Sequence, residues 1–160
     1  MTNKYLEKLG HVAAAPLSPA DVASKYHQFL KDFDLQPEHV WLGHGSALTA
    51  HGLREATSDL DAGCNSATMA KLIAKTGRQP HVYGLADGYL KDNTILLPLP
   101  EYDMDMHVED HITSKDLTST PSGVNTHGLP MILAQKRALN RPKDQLDIVN
   151  IQRRMKELTT

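Results

Sequence analysis

The fold of this chain is decided by the stretch that runs from Trp41 to Gly63 and reads WLGHGSALTAHGLREATSDLDAG. A short apolar run ends in the glycine-rich turn Gly43 to Ser46, which leads into a short helix. From Thr57 to Cys64 apolar and acidic residues alternate, so a half-exposed strand would present Asp59 and Asp61 on one face. The pattern predicts a strand, a glycine turn, a helix and an acid-bearing strand in succession.

Length and composition indicate one globular domain. The chain has 160 residues, of which 40% are hydrophobic and 22% charged, and we assign residues 1–160 to a single domain with residues 1–17 as an N-terminal arm. A formal net charge of −2 gives no overall basic field for nucleic acids. The apolar runs are too short to span a bilayer, and the N-terminus lacks the order of a secretory signal. We therefore expect a cytoplasmic protein without a membrane partner.

The rest of the chain alternates between helical and strand patterns. Ser18 to Asp21 has the pattern of a capping box, and apolar residues at helical spacing follow to about Asp34. Further elements are expected as a helix over 66–75, capped by Asn65 or Ser66 and ended by Gly77, and as strands over 81–85 and 89–97 around an Asp87-Gly88 turn, with Pro98 and Pro100 as breaks. Two C-terminal helices are expected over 129–139 and 141–157. These elements predict an α/β (α+β) fold with a mixed central sheet flanked by helices.

A second strand presents acids. In the run from Tyr102 to Val108, Met104 and Met106 alternate with polar residues, which include Asp103 and Asp105. Both aspartates fit the position of a third carboxylate beside the first pair. Asp105 is the favoured candidate because it is flanked by two core methionines.

The acids form a candidate metal site. Two aspartates at alternate positions of a strand project to the same side, where they can hold a hard divalent cation. Mg²⁺, or Mn²⁺ in its place, is the expected occupant, with Asp59, Asp61 and Asp105 as its ligands. Pairs of such ions about 3.5–4 Å apart activate the attacking and leaving oxygens of a phosphoryl displacement.

A site of this kind also needs a surface for phosphate. The glycine-rich turn lies just upstream of the acids, glycine lets the backbone come close to a ligand, and free amides at a helix start attract anions. Arg54 lies between the turn and the acids, and its guanidinium suits either phosphate oxygens or a surface carboxylate.

Two stretches together resemble a known family. The first contains Gly45, Ser46, Gly52, Arg54, Thr57, Asp59 and Asp61, and it resembles the signature of the nucleotidyltransferase superfamily to which DNA polymerase β belongs. The likeness is greatest to small bacterial and phage members, namely the antibiotic nucleotidyltransferases and those of toxin-antitoxin and abortive-infection systems. The second is MILAQKRALNRPKDQLDIVNI, residues 131–151, which resembles the helical pair that follows the catalytic sheet in those families.

The resemblance implies a fold and an activity. It implies a nucleotidyltransferase fold and the transfer of a nucleoside monophosphate from a nucleoside triphosphate to a hydroxyl on a small molecule, an RNA end or a protein. Asp59, Asp61 and Asp105 would then be the catalytic, metal-binding carboxylates. The nucleotide-binding residues would be Gly45, Ser46, Arg54 and Lys136.

Two other functions fit the same residues. A catalytically weak or inactive binding module, such as one half of a toxin-antitoxin pair, would keep the fold and act through a protein partner. A metal-dependent phosphohydrolase would use the same acids with water as the acceptor.

Several polar residues have both a structural and a functional interpretation. Four charged residues near the C-terminus have spacings that predict a helical ion-pair network: Arg141, Lys143, Asp144 and Asp147. We expect Lys136 to point along the same helices, where it is either a solvated lysine or a nucleotide contact.

His44, in the glycine turn, and His107, on the acid-bearing face, are candidate substrate contacts. Cys64 is the single cysteine and is expected to be a buried structural thiol.

Overall fold

The computed structural model describes residues 15–83 and 94–159. Within these ranges the chain forms five α-helices and one mixed sheet of seven strands. The predicted α/β class with a mixed, helix-flanked sheet is therefore confirmed. Most of the predicted N-terminal arm and the whole Asp87-Gly88 turn lie outside the described residues.

The elements follow one another in a mixed order. The helices are α1 (Pro19–Asp32), α2 (His44–Ala50), α3 (Ser66–Thr76), α4 (Leu129–Leu139) and α5 (Asp144–Leu158). The strands are β1 (Trp41–Gly43), β2 (Leu60–Cys64), β3 (His81–Tyr83), β4 (Thr94–Leu99), β5 (Met104–Val108), β6 (Leu117–Ser119) and β7 (Asn125–His127). The sheet order is β3-β4-β5-β2-β1-β7-β6, in which β2 runs parallel to β5 and β1 parallel to β7.

The helix ends follow the predicted local chemistry. Ser18 and Asp21 form a reciprocal capping box at the start of α1. Asn65 caps α3 by accepting a hydrogen bond from the Thr68 amide, and Gly77 ends that helix with a φ of 67°. Only glycine enters this left-handed region at little cost, so Gly77 is a strong stop signal.

Alternation along the central strands separates two faces of the sheet. One face packs against the helices through a single aliphatic core, which includes Leu42, Leu60, Ala62, Met104 and Met106. The opposite face, which we call the polar face, carries Trp41, Gly43, Asp61, Gly63, Asp105 and His107, because successive side chains in a strand point to opposite sides. Within the described part of the chain, no helix is both long and apolar enough to cross a bilayer.

Three predicted strand limits are wrong; the start of β5, predicted at Tyr102 and found at Met104, is described with the site. The strand predicted from Thr57 begins at Leu60, because Thr57 instead exchanges backbone hydrogen bonds with Leu17 and its hydroxyl donates to the Asp59 carbonyl. Strand β4 continues through Pro98, where a break was expected. The Pro98 carbonyl accepts a hydrogen bond from Arg78 and therefore points away from β5. Because the N–H and C=O of one strand residue point to the same side, an N–H at this position would not bond to β5, and proline costs no hydrogen bond with that strand.

Candidate active site

Two of the three predicted acids are neighbours across the sheet. Strands β2 and β5 pair in parallel with Asp61 directly opposite Asp105. Adjacent strands lie about 4.8 Å apart, and residues in register project to the same face. Asp105 is almost fully buried, with 1% of its surface exposed, whereas Asp61 is partly exposed. The two carboxylates therefore form a pair at the centre of the polar face.

The third acid lies one step before strand β2. Asp59 is buried, and its Oδ1 accepts a 3.3 Å hydrogen bond from the Ser58 hydroxyl. The prediction that Asp59 would occupy the strand itself is wrong, because the strand begins at Leu60. Its carboxylate still interacts electrostatically with Asp61 and Asp105, so the three predicted acids are brought together.

The structure separates the two candidates for the third carboxylate. Asp103 does not extend strand β5 as predicted, because it adopts a left-handed conformation with a φ of 51° at the end of a 3₁₀ turn. Its carboxylate forms a 3.0 Å ion pair with Lys25 on helix α1. Asp103 is thereby paired with Lys25, although its charge still adds to the rise in the pKa of Asp59, and Asp105 is the acid that lies in register with Asp61.

Burial and repulsion raise the pKa of two of the acids. Burial is the largest cause for Asp59, whose pKa rises to about 8, and the charge of Asp61 adds to it. Burial, followed by the charges of Asp61 and Asp59, raises the pKa of Asp105 to about 8. The carboxylates are therefore close enough to repel one another, and a bound cation would relieve that repulsion.

The acids converge without forming a finished coordination shell. Among residues 15–83 and 94–159, no group of three His, Cys, Asp or Glu side chains is arranged to hold a metal ion. The buried Oδ2 of Asp59, however, accepts no hydrogen bond within this part of the chain. This donor set fits Mg²⁺, which is usually held by one or two carboxylates and completes its shell with water and substrate phosphates.

Ser46 connects the glycine turn to the acid-bearing strand. Its hydroxyl donates to the Gly43 carbonyl at 2.8 Å and accepts from the Asp61 amide at 3.1 Å. The side chain is fully buried. In this structure Ser46 therefore fixes the backbone of Asp61 relative to the start of helix α2.

Arg54 and Lys136 both belong to one ion-pair network. The Nε and Nη2 atoms of Arg54 bind both carboxylate oxygens of Asp147. The buried ammonium of Lys136 lies 3.3 Å from Asp144 and 3.2 Å from Asp147, and Arg141 also binds Asp144. The network predicted for the C-terminal helices is confirmed for the Arg141–Asp144 pair only. The other partners of Asp144 and Asp147 are Lys136 and Arg54, the two cations that the resemblance assigned to the nucleotide.

Arg54 also reaches the glycine turn. A β-carbon built at Gly45 would lie 2.5 Å from Nη1 of Arg54, so no larger residue fits there without displacing the guanidinium. The network thus extends from helix α5 to the turn that begins helix α2. Arg54 is therefore the residue of the ion-pair network that lies against Gly45.

A polar cluster on the same face was not predicted from the sequence. Trp41 Nε1 donates a 2.8 Å hydrogen bond to Oε1 of Glu109, and His127 Nε2 lies 3.2 Å from the same oxygen. A β-carbon at Gly63 would lie 2.0 Å from Glu109 Oε1, so this strand position must be glycine for the cluster to form. The only feature of the sequence that could have indicated this cluster is the pair of glycines in neighbouring strands, Gly43 and Gly63.

The cluster holds a carboxylate in its charged form. Burial would raise the pKa of Glu109, but hydrogen bonds from His127 and Trp41 and the charge of His127 outweigh burial and lower the pKa to about 2. His127 is itself only 2% exposed, and its Nδ1 has no hydrogen-bond partner within the described residues. The charged Glu109 therefore orients a buried imidazole.

His44 lies between this cluster and the acids. It adopts a φ of 52°, a left-handed conformation that non-glycine residues rarely take. Although the residue as a whole is exposed, desolvation of its imidazole lowers its pKa. The charge of Asp61 opposes this shift, while those of His127 and His107 add to it. Such strain is typical of functional positions.

Two candidates remain, His107 on strand β5 and Cys64 at the end of strand β2. His107 lies in register with Gly63, and its Nδ1 is 3.2 Å from the Ala62 carbonyl. Cys64 is a free, buried thiol, and burial raises its pKa to about 12, which leaves it unreactive at neutral pH. The prediction of a buried thiol at Cys64 is confirmed.

Comparison with known proteins adds no family to this description. No protein-family model matches the chain, and no curated protein or solved structure matches it significantly. The function is therefore argued from the geometry of the site.

Proposed function

We propose that this protein is a magnesium-dependent nucleotidyltransferase, which moves a nucleoside monophosphate from a nucleoside triphosphate to a hydroxyl acceptor. The observation that carries this proposal is the register of Asp61 with Asp105 on parallel strands, with Asp59 immediately before the first of them. Three repelling carboxylates on a polar sheet face favour cation-assisted phosphoryl transfer over a purely structural role.

All three acids would bind the metal in this reaction, and one of them would also accept a proton. Asp59, Asp61 and Asp105 would hold Mg²⁺ or Mn²⁺, which when bound neutralises the charge of the phosphates and of the leaving group. The acceptor oxygen bonds to the α-phosphorus while the bond between that phosphorus and the α–β bridging oxygen breaks. Pyrophosphate leaves, and the acceptor proton passes to the carboxylate of Asp105, the most buried of the acids.

The nucleotide-binding side of the site is proposed at the glycine turn. Gly45 and Ser46 begin helix α2 next to Asp61, so a triphosphate whose α-phosphate lies at the acids would extend along this turn. Arg54 lies over Gly45 and supplies positive charge there. Lys136 acts through Asp147, which it shares with Arg54, and so contributes to the position of that guanidinium.

Label transfer tests the proposal directly. The protein would be incubated with each α-³²P-labelled nucleoside triphosphate, Mg²⁺ and cell extract, beside the Asp61→Asn variant. We expect label on an acceptor with the wild-type protein only. An absence of Asp61-dependent transfer with all four nucleotides would refute the proposal, whereas free monophosphate as the sole product would identify a phosphohydrolase.

Two observations favour a second candidate, a binding module without turnover. The described residues contain no ready three-ligand metal group, and the Ser46 hydroxyl is used by the backbone. Such a module would act through a protein partner. Co-purification of a stoichiometric partner, with a biological effect that survives Asp59→Ala and Asp61→Ala, would select this function over catalysis.

A further inference from the structure

Four adjacent strands of the sheet place His127 in one row with the acid pair. Strands β1 and β7 run parallel, and the register of their central residues puts their last residues, Gly43 and His127, opposite each other. Gly43 is also the register partner of Asp61, and Asp61 that of Asp105. The order across the polar face is therefore His127, Gly43, Asp61 and Asp105, with no side chain at the second position.

The imidazole of His127 takes the place that a side chain at Gly43 would have. A β-carbon built on Gly43 would lie 3.0 Å from both Cε1 and Nδ1 of His127. Residues directly opposite each other in an antiparallel pair have β-carbons about 4.5–5.5 Å apart, so a side chain at Gly43 would be a direct neighbour of Asp61. The imidazole therefore reaches across strand β1 to within about 9 Å of the Asp61 β-carbon.

The imidazole is held from its far side by the cluster on strand β2. Its Nε2 lies 3.2 Å from Oε1 of Glu109, and the same oxygen accepts the 2.8 Å hydrogen bond from Trp41. Glu109 crosses strand β2 over Gly63, where its carboxylate leaves no room for a β-carbon. The position of the imidazole thus depends on a carboxylate that is itself fixed by a tryptophan.

Gly43 connects this imidazole to Asp61 through hydrogen bonds as well as through register. Its carbonyl accepts a 2.8 Å hydrogen bond from the Ser46 hydroxyl, which in turn accepts a 3.1 Å bond from the Asp61 amide. The next residue, His44, has a left-handed φ of 52°, and strained conformations persist only where surrounding contacts hold them. A displacement of Gly43 would therefore move both the strand partner of Asp61 and the hydroxyl that anchors its amide.

Stability alone does not explain the polar cluster. The buried Nδ1 of His127 has no hydrogen-bond partner among the described residues, and a buried polar atom without a partner destabilises a fold. Buried charged pairs can often be replaced by apolar residues of similar volume without loss of stability. Outer contacts that orient the ligands of a metal site, in contrast, require a side chain that is fixed in one place.

We propose that His127 is a positioning residue of the candidate active site, which acts through Gly43 to hold Asp61 in the geometry that binds a divalent cation. Glu109 and Trp41 keep the imidazole in the place of a side chain at position 43. The effect of His127 on nucleotidyl transfer rests on the proposed transferase function, whereas its effect on cation binding requires only that the acids form a cation site.

The affinity for Mn²⁺ measures this role without turnover. Free Mn²⁺ would be quantified by electron paramagnetic resonance, with no nucleotide present. We expect His127→Ala to weaken Mn²⁺ binding about 10-fold or more, since changes in outer contacts weaken metal sites 10- to 100-fold. His127→Gln should retain most of the affinity, because the glutamine amide can donate to Glu109 in the place of Nε2.

His51→Gln is the matched control for a histidine that contacts strand β7. His51 bonds to the hydroxyl of Thr126, which precedes His127 and projects to the opposite face of the sheet. The variant should bind Mn²⁺ with the affinity of the wild type. Equal losses in His51→Gln and His127→Ala would overturn the positioning role.

A double variant separates positioning from stability. Glu109→Gln keeps an acceptor for the Trp41 N–H, and His127→Leu removes the unpartnered Nδ1. The midpoint of urea unfolding should therefore not fall below that of the wild type. Mn²⁺ binding should still weaken about 10-fold or more, because no hydrogen bond fixes the leucine. Wild-type affinity in this double variant would show that any side chain of this size suffices.

Cation binding and label transfer together distinguish the two proposals. Unchanged Mn²⁺ affinity in His127→Ala would overturn the positioning role, as would a loss confined to variants that circular dichroism shows to be unfolded. A loss of Mn²⁺ affinity in folded His127→Ala, without label transfer by the wild type, would retain the positioning role and refute the transferase. An absence of saturable Mn²⁺ binding by the wild type would overturn the positioning role together with the cation site.

Discussion

Two groups of charged side chains near the Gly45 turn differ in composition: one consists of acids alone, and the other of acids and bases joined in ion pairs. The acids Asp59, Asp61 and Asp105 repel one another on the polar face. Five residues of helices α4 and α5 and their surroundings instead form alternating ion pairs: Arg54, Lys136, Arg141, Asp144 and Asp147.

The carboxyl pKa values express this difference. Arg141 and Lys136 hold the pKa of Asp144 far below its usual range, despite the burial of its side chain. In the acid group, burial and like charge raise the pKa of Asp59 and Asp105 to about 8. Charges that are paired in the folded protein contribute to its specific structure, whereas carboxyls whose pKa is raised by burial and by neighbouring acids indicate a functional site.

The largest effect is expected from the acid group. Asp61→Asn removes a carboxylate with little change in shape, so the fold is retained while cation-assisted transfer falls by more than about 100-fold, since even outer residues around a metal change activity 10- to 100-fold. Label transfer and circular dichroism measure the two effects. Asp103→Asn is the matched control, because Asp103 pairs with Lys25, and it should retain most activity. Equal losses in both variants would contradict the assignment.

The second effect belongs to the neutralised network. Lys136→Met leaves Asp144 and Asp147 with less positive charge in a buried site and should destabilise the protein by about 3–5 kcal/mol. The free energy of unfolding in urea measures this change. Lys156→Met at an exposed site of helix α5 is the control, with an expected change within about 0.5 kcal/mol. A small effect at Lys136 would show that the network is dispensable.

The third prediction concerns pH. The pKa of Asp105 rises to about 8 in the folded protein from an unfolded value of about 3.9. Its contribution to stability is therefore fully present below about pH 4 and is lost as the pH rises towards 8. We expect the metal-free wild type to be less stable at pH 8 than at pH 6 in urea unfolding.

Asp105→Asn isolates this group. The variant should have a flatter stability profile between pH 6 and pH 8 than the wild type and should be the more stable of the two at pH 8 without metal. Addition of Mg²⁺ should stabilise the wild type more than the variant. An equally steep profile in Asp105→Asn would locate the pH dependence elsewhere.

The smallest effect is expected at the junction between the two groups. Ser46→Ala removes the hydroxyl that accepts from the Asp61 amide and should cost about 1–2 kcal/mol of unfolding free energy. Because the Asp61 backbone loses its anchor, transfer activity should fall by more than the loss of stability explains. Thr49→Ala, which removes a hydroxyl bonded to the Gly45 carbonyl within helix α2, is the control for a local hydrogen bond.

Local signals predicted much of the secondary structure. The capping box at Ser18, the cap at Asn65 and the stop at Gly77 are each encoded within about four residues. The strand limits were less predictable. Strand β2 does not include Thr57 because Thr57 pairs with Leu17, which is forty residues away in the chain. Alternation alone cannot detect such a competing partner.

The candidate site was predictable in part. The acids and the glycine turn were named from their spacing, and the pair of Arg141 with Asp144 from helical periodicity. The bond of Arg54 to Asp147 and the cluster of Glu109 with His127 were not predicted, because these residues belong to separate elements that only the folded sheet and helices bring together.

By itself, the sequence from Trp41 to Gly63 determined that a glycine turn is followed by two acids at alternate positions, since both features depend on neighbouring residues. The tertiary structure decided between Asp103 and Asp105. The parallel pairing of β2 with β5 places Asp105 opposite Asp61, while a left-handed turn directs Asp103 to Lys25. Register between strands forty-four residues apart is set by packing of the shared core, and no local pattern contains that information.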